Sequence, residues 1–197
     1  MFLTIKAKRK EMKKHCTISS SPSETDFIEF TKKLTGTEYS NALDASKPGD
    51  WAKISAPYGN FTFEGEFDKV GMLSGGIGIT PLRSMCKFCT DNQVETKITL
   101  LYGNHKEQDI VFRKEFEEMK ERNRNFKVAF TVSEPSEKWR GHIGRISAEM
   151  IKNEMPDYLE RVFFTCGPPA MVKAMEDLLA TLNVPQAQIK SENFPGS

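Results

Sequence analysis

The chain has 197 residues, of which 38% are hydrophobic and 28% charged, enough to bury an ordinary core in one large domain or two small ones. Its 28 lysines and arginines nearly balance 27 aspartates and glutamates, so it projects no field that would draw it to nucleic acid or an anionic membrane. No apolar run approaches the roughly 20 residues needed to cross a bilayer, and the four scattered cysteines suit a reduced, cytoplasmic setting better than a disulfide framework.

In chain order, "MFLTIKA", "HCTISSS", "FIEFTKKL" and, after the turn "SKPGD", "WAKISAPYGNFTF" read as short strands, which predicts antiparallel β-structure in a barrel or sandwich over residues 1–66. From Phe67 the period changes. Short apolar strands "KVGMLSG", "KITLLYG", "KVAFTVS" and "RVFFTCG" now alternate with helical segments "PLRSMCKFCTDN", "DIVFRKEFEEMKERN", "ISAEMIKNEM" and "PAMVKAMEDLLATLN". That alternation predicts a second domain over residues 67–197, an α/β fold with a doubly wound parallel sheet covered on both faces. Cys86 and Cys89 form a CxxC inside the first of those helices. A metal or iron-sulfur centre needs two further ligands, and only the distant Cys16 and Cys166 offer thiolates, so no metal is expected and the pair is read as small buried apolar groups.

The stretch "LSGGIGITPL" fills the first strand-to-helix turn, where sheets of this kind bind phosphates. Gly75, Gly76 and Gly78 lack Cβ atoms and tolerate positive φ, so a pyrophosphate can approach the main-chain N–H groups at a helix start. Thr80 is expected to cap the helix and Pro81 to sit in its first turn. The competing reading is a tight turn that lets helix pack on strand. The spacing departs from G-x-G-x-x-G in its last position, and the second strand ends "LLYGNH", with no carboxylate at its tip to bind ribose hydroxyls.

Taken together, "HCTISSSP", "YSNAL", "SKPGD", "APYGNF", "LSGGIGITPLRSM", "LLYGNHKEQDIVFRKEF", "VSEPSEKWRGHIGRI", "FFTCGPPAMV" and "SENF" resemble the ferredoxin-NADP reductase family of flavoprotein oxidoreductases, from about Phe2 to Phe194. The resemblance implies a flavin-binding β-barrel followed by a nicotinamide-nucleotide domain, with FAD, in preference to FMN, and NADH or NADPH as cofactors. In "KHCT", Thr17 would place its hydroxyl near the flavin N5 atom, Lys14 replaces an arginine that pairs with the flavin phosphates, and Cys16 replaces a tyrosine that packs on the ring system. Lysine offers no bidentate fork and cysteine covers less ring face, so both departures imply weaker flavin retention. Tyr39, Ser40 and Asn41 match a second phosphate-binding stretch, which without the family context reads as a polar turn.

In the second domain the resemblance assigns Gly75, Gly76, Gly78, Ile79 and Thr80 to the dinucleotide pyrophosphate. It places Cys166, Gly167 and Pro168 beside the nicotinamide, with burial in the core as the alternative for Cys166. Glu192 and Phe194 match a C-terminal acidic-x-aromatic element near the flavin, against which stands a frayed tail. Thr17, Cys166 and Glu192 are thus the candidate catalytic residues. Relatives that use NADPH carry Ser-Arg after the third strand, where this chain has Ser133-Glu134; the carboxylate favours NADH, although Arg113, Lys138 and Arg140 lie near in sequence. His15, His105 and His142 read as surface or turn residues.

In that family strands precede the one that "MFLTIKA" resembles, so the barrel is expected to be incomplete at its N-terminus, with flavin binding endangered and a homodimer formed through the open edge. The expected activity is hydride transfer from NAD(P)H to flavin, then electron transfer to a carrier such as ferredoxin or another iron-sulfur protein. The alternative is a non-catalytic nucleotide-binding or interaction module that has lost stable flavin binding.

Overall fold

The computed structural model describes residues 1–7 and 10–194. Its first part is a three-stranded antiparallel sheet of order β2-β1-β3, built from β1 (Phe2–Ala7), β2 (Lys10–His15) and β3 (Ala52–Ser55). Alternation in β1 turns Leu3 and Ile5 inward, onto Met1, Met12, Cys16 and Tyr39, the last supplied by the short helix α1 (Glu38–Asp44). The Tyr39 phenol ties the layers by donating to the Leu3 carbonyl at 3.2 Å.

Two expected strands are absent. Residues 15–21 and 27–34 form no ladder with one another beyond an isolated bridge between Ile18 and Phe30, beside which the Ser19 and Ser20 N–H groups donate to the Glu29 carbonyl. Serines compete there for backbone groups: the Ser20 hydroxyl accepts from the Glu29 N–H at 2.9 Å, and the Ser19 hydroxyl donates to the Glu29 carboxylate at 2.8 Å. Phe27 and Ile28 are consequently left about half exposed. Conversely β2 escapes the sequence pattern because Met12 alone among its residues is buried.

The larger sheet has the order β7-β6-β5-β4-β8-β9 with every pair parallel. Its strands are β4 (Lys69–Gly75), β5 (Lys97–Asn104), β6 (Phe126–Val132), β7 (His142–Ile143), β8 (Val162–Gly167) and β9 (Ile189–Asn193). Helices α2 (Ile79–Asp91) and α3 (Arg113–Arg122) cover one face, and α4 (Ala148–Glu154) and α5 (Pro169–Thr181) the other, each over its own apolar cluster. The chain leaves β4 toward β5, β6 and β7, then returns to the opposite side of β4 with β8 and β9. The reversal creates a crevice at the carboxyl end of β4. Cys86 and Cys89 are fully buried in α2, and burial pushes the Cys89 thiol up to about 12. Among the described residues no cluster of three or more His, Cys, Asp or Glu side chains is placed to hold a metal ion.

The two parts are locked by a buried guanidinium. Arg83 on α2 donates to the Ser19 carbonyl at 3.0 Å, to Glu24 at 3.1 Å and to Glu115 of α3 at 2.9 Å. Burial alone would raise the Glu24 carboxyl; the Arg83 and Ser21 N–H bonds override it and leave the group below the usual glutamate range. Nearby, the Ser84 hydroxyl donates to the Ser20 carbonyl at 2.7 Å. The connecting segment adds Phe61, Phe63 and Phe67, whose rings pack on Phe164 of β8 at 5.5, 5.6 and 6.3 Å. Removing the arginine leaves carboxylates facing one another without their counter-charge, so Arg83→Ala is expected to lower the unfolding free energy by about 3 kcal/mol. Urea denaturation checks this, and a loss under about 1 kcal/mol would reduce the cluster to an ordinary surface ion pair.

Candidate functional site

The glycines at the end of β4 have different reasons to be glycine. A Cβ on Gly78 would lie 2.3 Å from the Cys166 carbonyl oxygen and 2.8 Å from Gly167 Cα, so the start of α2 rests backbone to backbone on the end of β8. A Cβ on Gly75 would meet the Met171 sulfur at 2.8 Å. Gly76, at φ +53°, has nothing within 4 Å of its Cβ position. Of these three, Gly76 is the one beside open space.

Around that turn the fold supplies supporting bonds. The Tyr102 phenol donates to the Gly76 carbonyl at 2.9 Å, and the Cys166 thiol donates to the Gly78 carbonyl at 2.9 Å. Burial, reinforced by the nearby Glu192 carboxylate, pushes the Cys166 thiol well up, which keeps the proton it donates. At the tip of β5 both amide atoms of Asn104 are buried without a hydrogen-bond partner. An open glycine turn beside an unsatisfied amide is a donor set that suits a dinucleotide diphosphate and sugar. Ile79 and Thr80 are buried, so in this turn they offer main chain only. The expected Thr80 cap is corrected: the helix begins at Ile79 with Gly78 as its cap residue, and the Thr80 hydroxyl donates back to the Ile77 carbonyl at 3.3 Å. Pro81 does lie in the first turn.

A cleft of about 620 Å³ runs between the two parts, lined by His15, Thr17, Tyr58, Phe61, Pro81 and Glu192 among others. Phe2 makes edge contacts with both His15 and Tyr58 at 5.5 Å, which stiffens one wall. Glu192 joins this cleft to the glycine turn, since in β9 it is the register partner of Cys166 and a Cβ on Gly59 would sit 3.6 Å from its carboxylate. Burial raises the Glu192 carboxyl above the usual range. Phe194 extends the strand through its N–H to the Gly167 carbonyl at 2.8 Å.

Other expected positions lie apart. Cys16 and Tyr39 face the small core, and burial raises both. Ser40 is buried, with its hydroxyl accepting from the Thr35 N–H at 3.0 Å, whereas Asn41 and Lys14 are exposed. Pro168 precedes α5, whose Met171 covers Gly167 as well as Gly75. Ser133 is exposed and its hydroxyl lies 2.9 Å from His105 Nδ1. Arg113, Lys138 and Arg140 gather in a separate recess along β6, where Arg113 lies over Phe130 and Trp139. Met171, Tyr102 and Gly59 carry no local sequence signal for their positions, because each acts through a contact made by the fold.

A parallel sheet with a glycine turn at its reversal point, next to a cleft shared with an antiparallel sheet, defines a dinucleotide-binding oxidoreductase architecture. Residues 72–177 match the oxidoreductase NAD-binding domain and residues 1–63 the oxidoreductase FAD-binding domain, and the chain belongs to the ferredoxin-NADP reductase family. It is 32% identical over 184 residues, 91% of its length, to "NADH-cytochrome b5 reductase 1" of Dictyostelium discoideum. It is 33% identical over 184 residues, 90% of its length, to the "Glycine betaine monooxygenase reductase subunit" of Chromohalobacter salexigens. The chain spans 64% of the first relative and 50% of the second. Its fold superposes on the cytochrome b5 reductase domain of Ulva prolifera nitrate reductase with a TM-score of 0.85 at 24% identity, covering 97% of this chain and 83% of that one. Among the described residues no helix is long and apolar enough to cross a membrane.

A carboxyl whose folded value lies above its unfolded one lowers stability once both states should be charged, and has no effect where both are protonated. Glu192→Gln is therefore expected to raise the thermal midpoint at pH 7 and to leave it unchanged near pH 3.5. Equal midpoints at both pH values would place the carboxyl in open solvent.

Proposed function

We propose that this chain is the part of a flavoprotein reductase in which NADH and FAD meet, passing electrons on to a protein acceptor. When bound, the dinucleotide supplies a hydride and the flavin divides it into single electrons; the protein supplies alignment and electrostatics. The observation that supports this best is Glu192, which shares the cleft with Thr17 and is paired in register with Cys166 beneath the glycine turn.

In this reading Gly76 receives the dinucleotide diphosphate, with Tyr102 and the Cys166 thiol fixing the turn around it. Thr17 offers its hydroxyl at the cleft wall, and Glu192 brings to the same cleft a carboxyl that burial raises above the usual range. Lys14 and Asn41, both exposed, are available to flavin phosphates. Ser133 and Glu134 sit at the carboxyl end of β6, where a carboxylate suits free ribose hydroxyls and so favours NADH. The acceptor is a redox protein, a ferredoxin or other iron-sulfur protein being one class; relatives are named for cytochrome b5 and for glycine betaine monooxygenase. The domain division at residues 66 and 67 falls within the segment that packs on Phe164. Four unpaired buried cysteines fit a reducing compartment such as the cytoplasm. Self-association is supported by β2 and β3, both edges of the small sheet, with Trp51 and Ile54 exposed beside them.

A specific observation favours a second reading. Cys16, Tyr39 and Ser40 turn into the small core, which removes three side chains from any flavin site and suits a nucleotide-binding module without flavin. Absorbance decides. After incubation with FAD and gel filtration, the first reading expects flavin bands that bleach on anaerobic addition of NADH; a colourless chain that binds NADH supports the second. For the glycine turn, Gly76→Val is expected to weaken NADH binding at least ten-fold by calorimetry, because the side chain fills the open space and strains a turn held at φ +53°, while far-UV circular dichroism keeps its overall form, since no atom of the fold occupies the Cβ position. Unaltered affinity would remove the turn from the site.

A further inference from the structure

Strand β6 is paired along its whole length with β5 but over only two residues on its other side. The Asn125 carbonyl accepts from the Ile98 N–H at 2.8 Å, and the Val132 carbonyl from the Gly144 N–H of the β7 side at 2.8 Å. Main-chain groups alternate between the two sides of a strand, so odd-numbered residues of β6 face β5 and even-numbered ones face away from it. On that outer side β7 is in register with Thr131 and Val132, and it reaches no main-chain group before the Phe130 carbonyl. The N–H and carbonyl of Val128 and the N–H of Phe130 are left directed at the edge of the sheet. Strands β4, β5 and β8, by contrast, have a neighbour on each side.

The space beside this stretch is open. A recess of about 390 Å³ is lined by Val128 and Phe130 of β6, by Trp139, and by the charged side chains of Arg113, Lys138, Arg140 and Glu107. Its far wall is firmly built: the Trp139 indole N–H donates to the His142 carbonyl at 2.8 Å, and a Cβ on Gly141 would lie 2.8 Å from the Phe130 carbonyl oxygen. Three cations thus stand against one carboxylate. Glu107 is occupied in accepting from the Ser136 N–H at 3.2 Å, and Arg113 donates to Glu117 at 2.9 Å. The Arg140 guanidinium donates to the Glu137 and Trp139 carbonyls at 3.0 and 2.9 Å, and among the described residues neither it nor Lys138 has a carboxylate within ion-pairing reach. On a chain whose charges nearly balance, this is a local positive excess beside an unpaired strand edge.

We propose that an acidic, extended segment of a partner protein binds here as an added strand, its main chain pairing with Val128 and Phe130 and its carboxylates meeting Arg113, Lys138 and Arg140. In strand addition the main chain supplies affinity and alternate side chains supply specificity. The open stretch suits about four residues at ~3.3 Å each. Val128 and Phe130 turn their side chains to the cluster beneath α3, so an added strand turns alternate side chains toward Arg113, which lies over Phe130 and Trp139. A second copy of this chain is a poor occupant, because edge against edge would set the same three cations facing one another. The recess shares no lining residue with the cleft, and the proposal needs neither cofactor.

Fluorescence polarisation with the full chain tests this, using a fluorescein-labelled peptide of eight residues that alternates glutamate with valine. Binding is expected, and glutamine in place of its glutamates is expected to weaken it roughly ten-fold, what one charged hydrogen bond contributes. Val128→Pro deletes the outward N–H and spares the ladder to β5, since proline is tolerated on an open edge. It is expected to weaken binding by a similar factor with an unchanged circular dichroism spectrum. Hydrogen exchange of the unaltered chain gives a check that needs no variant. The Val128 amide is expected to exchange faster than those of Lys127 and Ala129, which face β5, and to slow roughly ten-fold under saturating peptide. Absence of binding, equal binding of the glutamine peptide, an affinity unmoved by Val128→Pro, or a Val128 amide as protected as its neighbours would overturn the proposal. So would a dimer in sedimentation that Val128→Pro disperses, since the edge would then belong to a second copy.

Discussion

The contact on which the site depends is the one between Gly78 and the end of β8. With the Cys166 carbonyl oxygen 2.3 Å from where a Cβ would stand, no side chain fits, and the last residue of the turn into α2 lies directly on the neighbouring strand. The contact is held as well as permitted, because the Cys166 thiol donates to the Gly78 carbonyl. Everything at the reversal point inherits its position from this junction. Gly76 is displaced into the open, Met171 of α5 closes over Gly75 and Gly167, and β9, paired to β8, carries Glu192 to the cleft.

The junction alone would not make a site for two ring systems, since the cleft has walls from both parts of the chain. Their relation is set by Arg83 and by the phenylalanines on Phe164. The two devices differ physically. Ring packing is tolerant of small shifts, whereas a guanidinium shared between Glu24, Glu115 and the Ser19 carbonyl accepts little displacement without leaving buried charge unpaired. Arg83 lies one turn along the helix whose first residue follows Gly78. The same rigid element therefore bears on the glycine turn at its start and on the segment following Thr17 along its side.

How far the sequence revealed this follows from which physical rules are local. The parallel half was legible because its strands are buried on both faces and its helices carry one apolar stripe, so the period announces each element. The pattern of α2 marks its start within two residues; threonine favours the capping role that Thr80 suggests, but the glycine turn runs directly into the helix and leaves no capping position for it. Strand β2 was invisible, being polar except for Met12. Residues 27–34 carry a strand-like pattern that the serines of the facing segment interrupt. The short β9 shows no pattern of its own, and its place follows from pairing with β8. The tip of β5 is the clearest case: "LLYGNH" ends without an acid, and the Glu134 carboxylate that arrives beside His105 comes from beyond β6 through backbone bonds that no linear spacing encodes.

The three glycines after β4 raised two competing explanations, close packing of helix on strand or close approach of a ligand. The structure divides these between positions. Gly78 satisfies the first, because its missing side chain is replaced by the protein's own main chain. Gly76 is the position to which the proposed dinucleotide site assigns the second: its φ of +53° disfavours other residues, while the space beside it holds no atom of the fold. A turn needed for packing alone would be filled by its neighbours, as Gly75 and Gly78 are. Conformational freedom spent where nothing packs, next to a buried amide with both polar atoms unsatisfied, is the arrangement expected where the missing neighbour is a bound molecule.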